Sequence, residues 1–340
     1  MKYGLWIIAL AYLVLLTLGE IITIFSVLWV GLALQGLVFL ALLLHSSLWA
    51  RKSLRRFLLA LSLAPLIRLL SISLPLSSFP FIYWYTVMGV PLFLAAFIAA
   101  QLGQVNGKML GFTGRSLPLQ FLVALTGFGL GYIEYLILQP EPLVSEPRLN
   151  QVLAPALILL IFTGLLEEII FRGLMQYASI RVYGHSGIFY VAVLFSVLHI
   201  GYRSIIDLMF VFIVALYFAW IRYRSGSILG VILAHGITNI ALYLIFPFIL
   251  AASVKGPVQK LPPQAGLLAP IVTQKGTHQW LSPSHTPYSS VSPTFVGTAT
   301  PEFTATLPRM VMPIPTPCAV PSVPVPYDFR LLPHLPLLPE

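Results

Sequence analysis

From Leu5 to Leu250 the chain is a succession of apolar runs, most of them about 15 to 25 residues long, parted by short polar breaks. A bilayer core of roughly 30 Å is crossed by about 20 helical residues. In lipid every backbone N–H and C=O must be satisfied within the protein, so only helices and closed barrels span. The runs show no alternation with period two, which excludes barrel strands and leaves helices. The pattern predicts an all-α, polytopic transmembrane bundle of about eight or nine helices. The spans expected are 4–18, 21–46, 57–76, 81–100, 119–138, 151–183, 187–201, 205–221 and 228–250. Gly19-Glu20 is expected to turn the chain between the first two, and Pro65 with Arg68 to break the third or make it partly re-entrant. Ala9-Leu10-Ala11 comes too early to be a signal-cleavage site, so the first run is read as a retained helix.

Residues 251–340 are a different material: they hold eighteen of the chain's 28 prolines and sixteen serines and threonines. Repeated proline forbids long helices and ladders, so a disordered Pro/Ser/Thr-rich tail is expected there. The chain thus divides into N-terminal helices (1–150), a core (151–250) and this tail (251–340). The formal charge of +9 does not point to nucleic acid. The basic residues sit at the ends of apolar runs, not in a patch with interleaved aromatics. The richest group, Arg51, Lys52, Arg55 and Arg56, belongs in the cytoplasm by the positive-inside rule. Counting spans from there puts Lys2, Lys108, Arg115, Arg181, Arg222 and Arg224 on the same side and the tail outside, with Arg203 the exception. The single Cys318 excludes an internal disulfide framework.

Acids are scarce before residue 251: Glu20, Glu134, Glu141, Glu146, Glu167, Glu168 and Asp207. A charge at the bilayer centre costs about 3 kcal/mol or more, so an acid within a span is a functional candidate by default. Glu167 and Glu168 are adjacent and lie well inside the sixth span. Glu168 and Arg172 are four apart with the acid first, which favours a helical ion pair. Glu167 then points about 100° away around the helix, without a cation of its own and free to take a proton from water. The bland alternative is an interfacial cap with both glutamates in water. Downstream, His199 follows Phe195 by one turn, and His235 shares a face with Asn239. Each alone reads as a packing contact between helices. At about 1.5 Å per residue, however, Glu167, His199, His235 and Asn239 fall within a few turns of one another in depth. Three packed helices would bring an acid, two imidazoles and a carboxamide together.

Glu-Glu-x-x-x-Arg, then Phe-x-x-x-His, then His-x-x-x-Asn is a pattern that resembles one family: the type II CAAX prenyl endopeptidases and their bacterial relatives, the CAAX proteases and bacteriocin-processing enzymes. Glu167, Glu168 and Arg172 carry the first motif, Phe195 and His199 the second, His235 and Asn239 the third. The resemblance covers about 155–245 and departs at no motif position. It implies an intramembrane endopeptidase of a multi-pass protein, in the bacterial branch one of the cell membrane. It implies that Glu167 and His199 activate water while His235 and Asn239 stabilise the oxyanion, with Glu168, Arg172 and Phe195 in support. Family members have also been called metalloproteases, and Glu167, His199 and His235 could form a zinc set. No His-Glu-x-x-His occurs, and activation of water without a metal is the favoured expectation. The substrate expected is a lipidated or hydrophobic peptide or protein; prenylated CAAX tails are that of the eukaryotic relatives. Two rivals stand: a non-catalytic peptide-binding or immunity-type protein, and a proton-coupled transporter. The second would show a repeated copy of the acidic motif, and none is present.

Overall fold

The computed structural model describes residues 2–48, 51–74, 76 and 79–250. The expected tail lies outside the described residues. Within them the chain is helical and carries no strand. The long elements are α1 (helical Lys2–Phe25), α2 (Leu28–Leu48), α3 (Lys52–Ser73), α4 (Phe81–Leu102), α5 (Leu117–Leu138), α6 (Leu149–Tyr183), α7 (Ser186–Tyr202), α8 (Ile205–Ser225) and α9 (Leu229–Leu250). All but α7 are long and apolar enough to cross a membrane. Large apolar side chains such as Trp29, Leu37, Phe97, Phe121, Ile206 and Met209 face outward, while Glu20, Arg68, Glu167, Glu168, Arg172 and Asp207 are buried. An apolar exterior around a charged interior suits a protein whose solvent is lipid. The chain is an integral multi-pass membrane protein.

Two expectations need adjustment. The turn between the first helices lies at Ser26-Val27, not at Gly19-Glu20, because Glu20 is not a water-facing residue. Its buried carboxylate pairs with Arg68 of α3 at 2.7 Å and accepts from the Gln35 amide of α2 at 3.0 Å. With a cation and a donor in place, the acid can stay inside the helix. The third span is broken, as expected, but at Ser62. Pro65 has no N–H for the carbonyl of Leu61, so it is tolerated only in the first turn of the new segment Leu63–Ser73.

The interhelical and loop contacts sort into two ends. At one, His185 bonds Tyr223 at 2.6 Å, Arg222 donates to the Met109 carbonyl at 2.7 Å and Arg56 donates to that of Gly103. At the other, Arg203 donates to the Ile24 carbonyl at 2.9 Å. His185 precedes α7 and Arg203 follows it, so the short helix runs from end to end. Arg203, the exception to the charge pattern, is held on the end of α1.

Glycine seams set the place of α9. A Cβ on Gly164 of α6 would come within 2.8 Å of the Ile232 carbonyl and 2.9 Å of the Gly236 nitrogen. On the opposite side, Gly131 of α5 lies as closely over Thr238, and Gln120 accepts from the Gly230 N–H at 2.7 Å. Small residues let membrane helices approach this far and gain dispersion energy. The helix bearing His235 and Asn239 is therefore clamped from both sides.

Candidate active site

The glutamate pair sits on Leu166–Glu168, between two stretches of α6, Leu160–Leu165 and Ile169–Met175, that widen into π-type turns. Such bulges recur at functional sites, where they re-aim side chains. Both glutamates are fully buried, which excludes the interfacial cap. The expected ion pair is present: Arg172 Nη1 donates to Glu168 Oε1 at 2.8 Å. The same oxygen lies 2.9 Å from Nδ1 of His235, and a carboxylate there calls for Nδ1–H on the ring. The Arg172 guanidinium also lies over the Phe195 ring, 4.4 Å from its centroid. Phe195 is thus an aromatic seat for the arginine, and its ring is 4.7 Å from that of His199.

Glu167 is left differently. Neither of its carboxylate oxygens has a hydrogen-bond donor among the described residues, and Oε2 lies 3.8 Å from His235 Nε2. That gap is too long for a direct bond.

His199 stands just beyond the straight part of α7 (Ser186–Val197), at φ −91° and ψ 1°, in the sparsely allowed bridge region. Its Nδ1 is 2.8 Å from the Phe195 carbonyl. A carbonyl only accepts, so Nδ1 carries the proton and Nε2 is left as a bare acceptor. Arg68 fixes this turn by donating to the Leu198 carbonyl at 2.9 Å. Asn239 donates one amide hydrogen to Thr163 Oγ1 at 2.8 Å, and the second remains for another acceptor.

His199, His235 and Asn239 line one small cavity of about 30 Å³, room for a single water. Glu167 is not in its wall and reaches it across His235. Phe210, Val211, Val214 and Phe218 give the cavity an apolar side. Glu134 of α5 also lines it, a residue that sequence reasoning did not single out. Asp207 is a second omission: it is fully buried and neither carboxylate oxygen has a donor among the described residues. Both acids stood among the seven, and their depth in apolar helices was the available signal. Without a motif around them, it was not used. Among the described residues, no group of three His, Cys, Asp or Glu side chains converges to hold a metal ion.

Residues 149–241 match the family model described as type II CAAX prenyl endopeptidase Rce1-like. The match spans all of α6, α7 and α8 and the part of α9 that carries His235 and Asn239. Every residue of the three motifs falls inside it. No curated protein and no solved structure matches the chain. The family so described is one of endopeptidases.

Proposed function

We propose that this chain is an intramembrane endopeptidase that hydrolyses a peptide bond within or beside the bilayer. The observation that supports it most is that His199, His235 and Asn239 line one small cavity while Glu168 bonds His235 and Glu167 lies 3.8 Å behind it, outside the wall. Glu167 takes the proton of a water lying between it and His235, and the bare Nε2 of His199 helps to orient that water. The hydroxide attacks the scissile carbonyl. The developing oxyanion is met by the free amide hydrogen of Asn239, and His235, held by Glu168, lines the same cavity beside it. Glu167 then passes its proton to the leaving nitrogen, which restores the carboxylate. Arg172 and Phe195 hold Glu168 and His199 in place. All of these steps use protein groups. We expect cleavage by metal-free protein to survive a chelator; loss of activity that zinc restores would move the proposal to a metalloprotease.

The apolar wall of the cavity favours a hydrophobic residue beside the scissile bond, and the lipid-facing setting favours a lipidated or apolar peptide. The concentration of Arg and Lys at one end of the bundle favours, by the positive-inside rule, a cytoplasmic location for that end and the N-terminus. The test is quantitative proteomics of membrane peptides from cells carrying wild-type or Glu167→Gln protein. A set of C-terminal fragments present in the first and missing in the second supports the reading and names the substrate. Identical fragment sets with both proteins at equal abundance overturn it.

A further inference from the structure

A second cavity, of about 230 Å³, lies between α6 and α8 at the end where the bundle's arginines gather. Its walls carry Arg172, Arg181 and Arg222 with Gln176, Tyr177 and Tyr223. No acidic side chain lines it. Arg172 is committed to Glu168, but the charges of Arg181 and Arg222 have no carboxylate partner among the described residues. Arg222 is anchored by one bond, from Nη2 to the Met109 carbonyl, and Arg181 stacks on the Tyr177 ring with its Cζ 4.4 Å from the centroid.

The polar atoms left over on these walls say what the cavity lacks. The Nε of Arg222 and the hydroxyl of Tyr177 are buried and have no hydrogen-bond partner among the described residues, and neither has Gln176 Oε1, an acceptor whose amide nitrogen donates to the Ala219 carbonyl. The Arg222 and Tyr177 atoms can both donate, and a buried donor without an acceptor is a cost that proteins rarely carry unanswered. Two orphan donors beside two unpaired guanidinium groups call for a compact anion with several acceptor oxygens. A phosphate group fits this need, and arginine is the side chain best shaped to meet it. The cavity is smaller than the roughly 300 to 1,000 Å³ of a drug-sized site, which suits a headgroup and little more. It lies at the basic end, and basic pockets between membrane helices on the cytoplasmic side bind anionic headgroups.

We propose that this pocket binds the phosphate of an anionic phospholipid headgroup. The site is separate from the peptidase cavity, and the inference stands whether or not the chain cleaves peptides.

The experiment is native mass spectrometry of the full-length protein in detergent, titrated with phosphatidylglycerol, with phosphatidylcholine and with inorganic phosphate. Phosphatidylglycerol is expected to bind at least about fivefold more tightly than phosphatidylcholine. Tyr177→Phe and Arg181→Gln should each weaken phosphatidylglycerol about fivefold and leave phosphatidylcholine unchanged, with melting temperatures of the lipid-free proteins within about 2 °C of wild type. Equal binding of the two lipids overturns the proposal. So does unchanged phosphatidylglycerol binding in both variants. If inorganic phosphate competes at concentrations equal to those of the lipid, the site takes free phosphate and the lipid source is wrong.

Discussion

At the scale of single residues, a few buried charges hold both structure and chemistry. Arg172 and Glu20 each have a designated partner inside the bundle, Glu168 and Arg68. Removing one member of a buried pair strands the other, which costs about 3 to 5 kcal/mol, whereas replacing both with apolar residues can be nearly neutral. Glu20→Ala should therefore lower thermal stability sharply, and Glu20→Ala with Arg68→Met should recover most of the loss; a melting series on purified protein reads both. The active-site residues behave differently, because their task is the reaction. Glu167→Ala, His199→Ala and His235→Ala should each reduce cleavage of a reporter substrate by about 10²-fold or more while membrane insertion is unaffected. Thr163→Val is a finer probe. It removes the acceptor that holds the Asn239 amide, so turnover should fall about tenfold with KM little changed, at a stability cost of about 1 kcal/mol.

At the scale of elements, the site depends on how closely α9 approaches α6. Gly164→Ala would push a methyl against the Ile232 carbonyl and the Gly236 nitrogen, so the helices must part. His235 would then move away from Glu168 and Glu167. The expected outcome is a destabilisation of about 1 to 3 kcal/mol together with loss of cleavage, although no chemical group of the site has been removed. Gly114→Ala, whose Cβ would meet nothing within 4 Å, is the control and should leave both unchanged. The widened turns that flank Leu166–Glu168 belong to the same scale, since they decide which way each glutamate points.

For the whole molecule, the question is which end faces the cytoplasm. The contacts of His185 and Arg203 show α7 running between the two ends of the bundle among the described residues. In a Cys318→Ser background, Ser145→Cys should react with an impermeant maleimide in intact cells. Asn106→Cys should react only after the membrane is permeabilised. The reverse result would invert the proposed orientation, together with the leaflet that the phosphate pocket faces.

The sequence by itself determined that the chain is a helical membrane bundle, because only apolar runs of spanning length can satisfy their backbones in lipid. It also determined the motif residues and the Glu168–Arg172 pair, because residues four apart on one helix must meet. It misplaced the first turn, since an acid at residue 20 looks like a loop residue until a cation 48 positions away is brought beside it. For the same reason it passed over Glu134, Asp207, Thr163 and the orphan donors of Tyr177 and Arg222. Each owes its meaning to a neighbour, or to the lack of one, that is distant along the chain. Local periodicity fixes which face of a helix a residue occupies. What that face meets is set by how closely the helices pack, and the glycine seams that set it act only between segments already folded together.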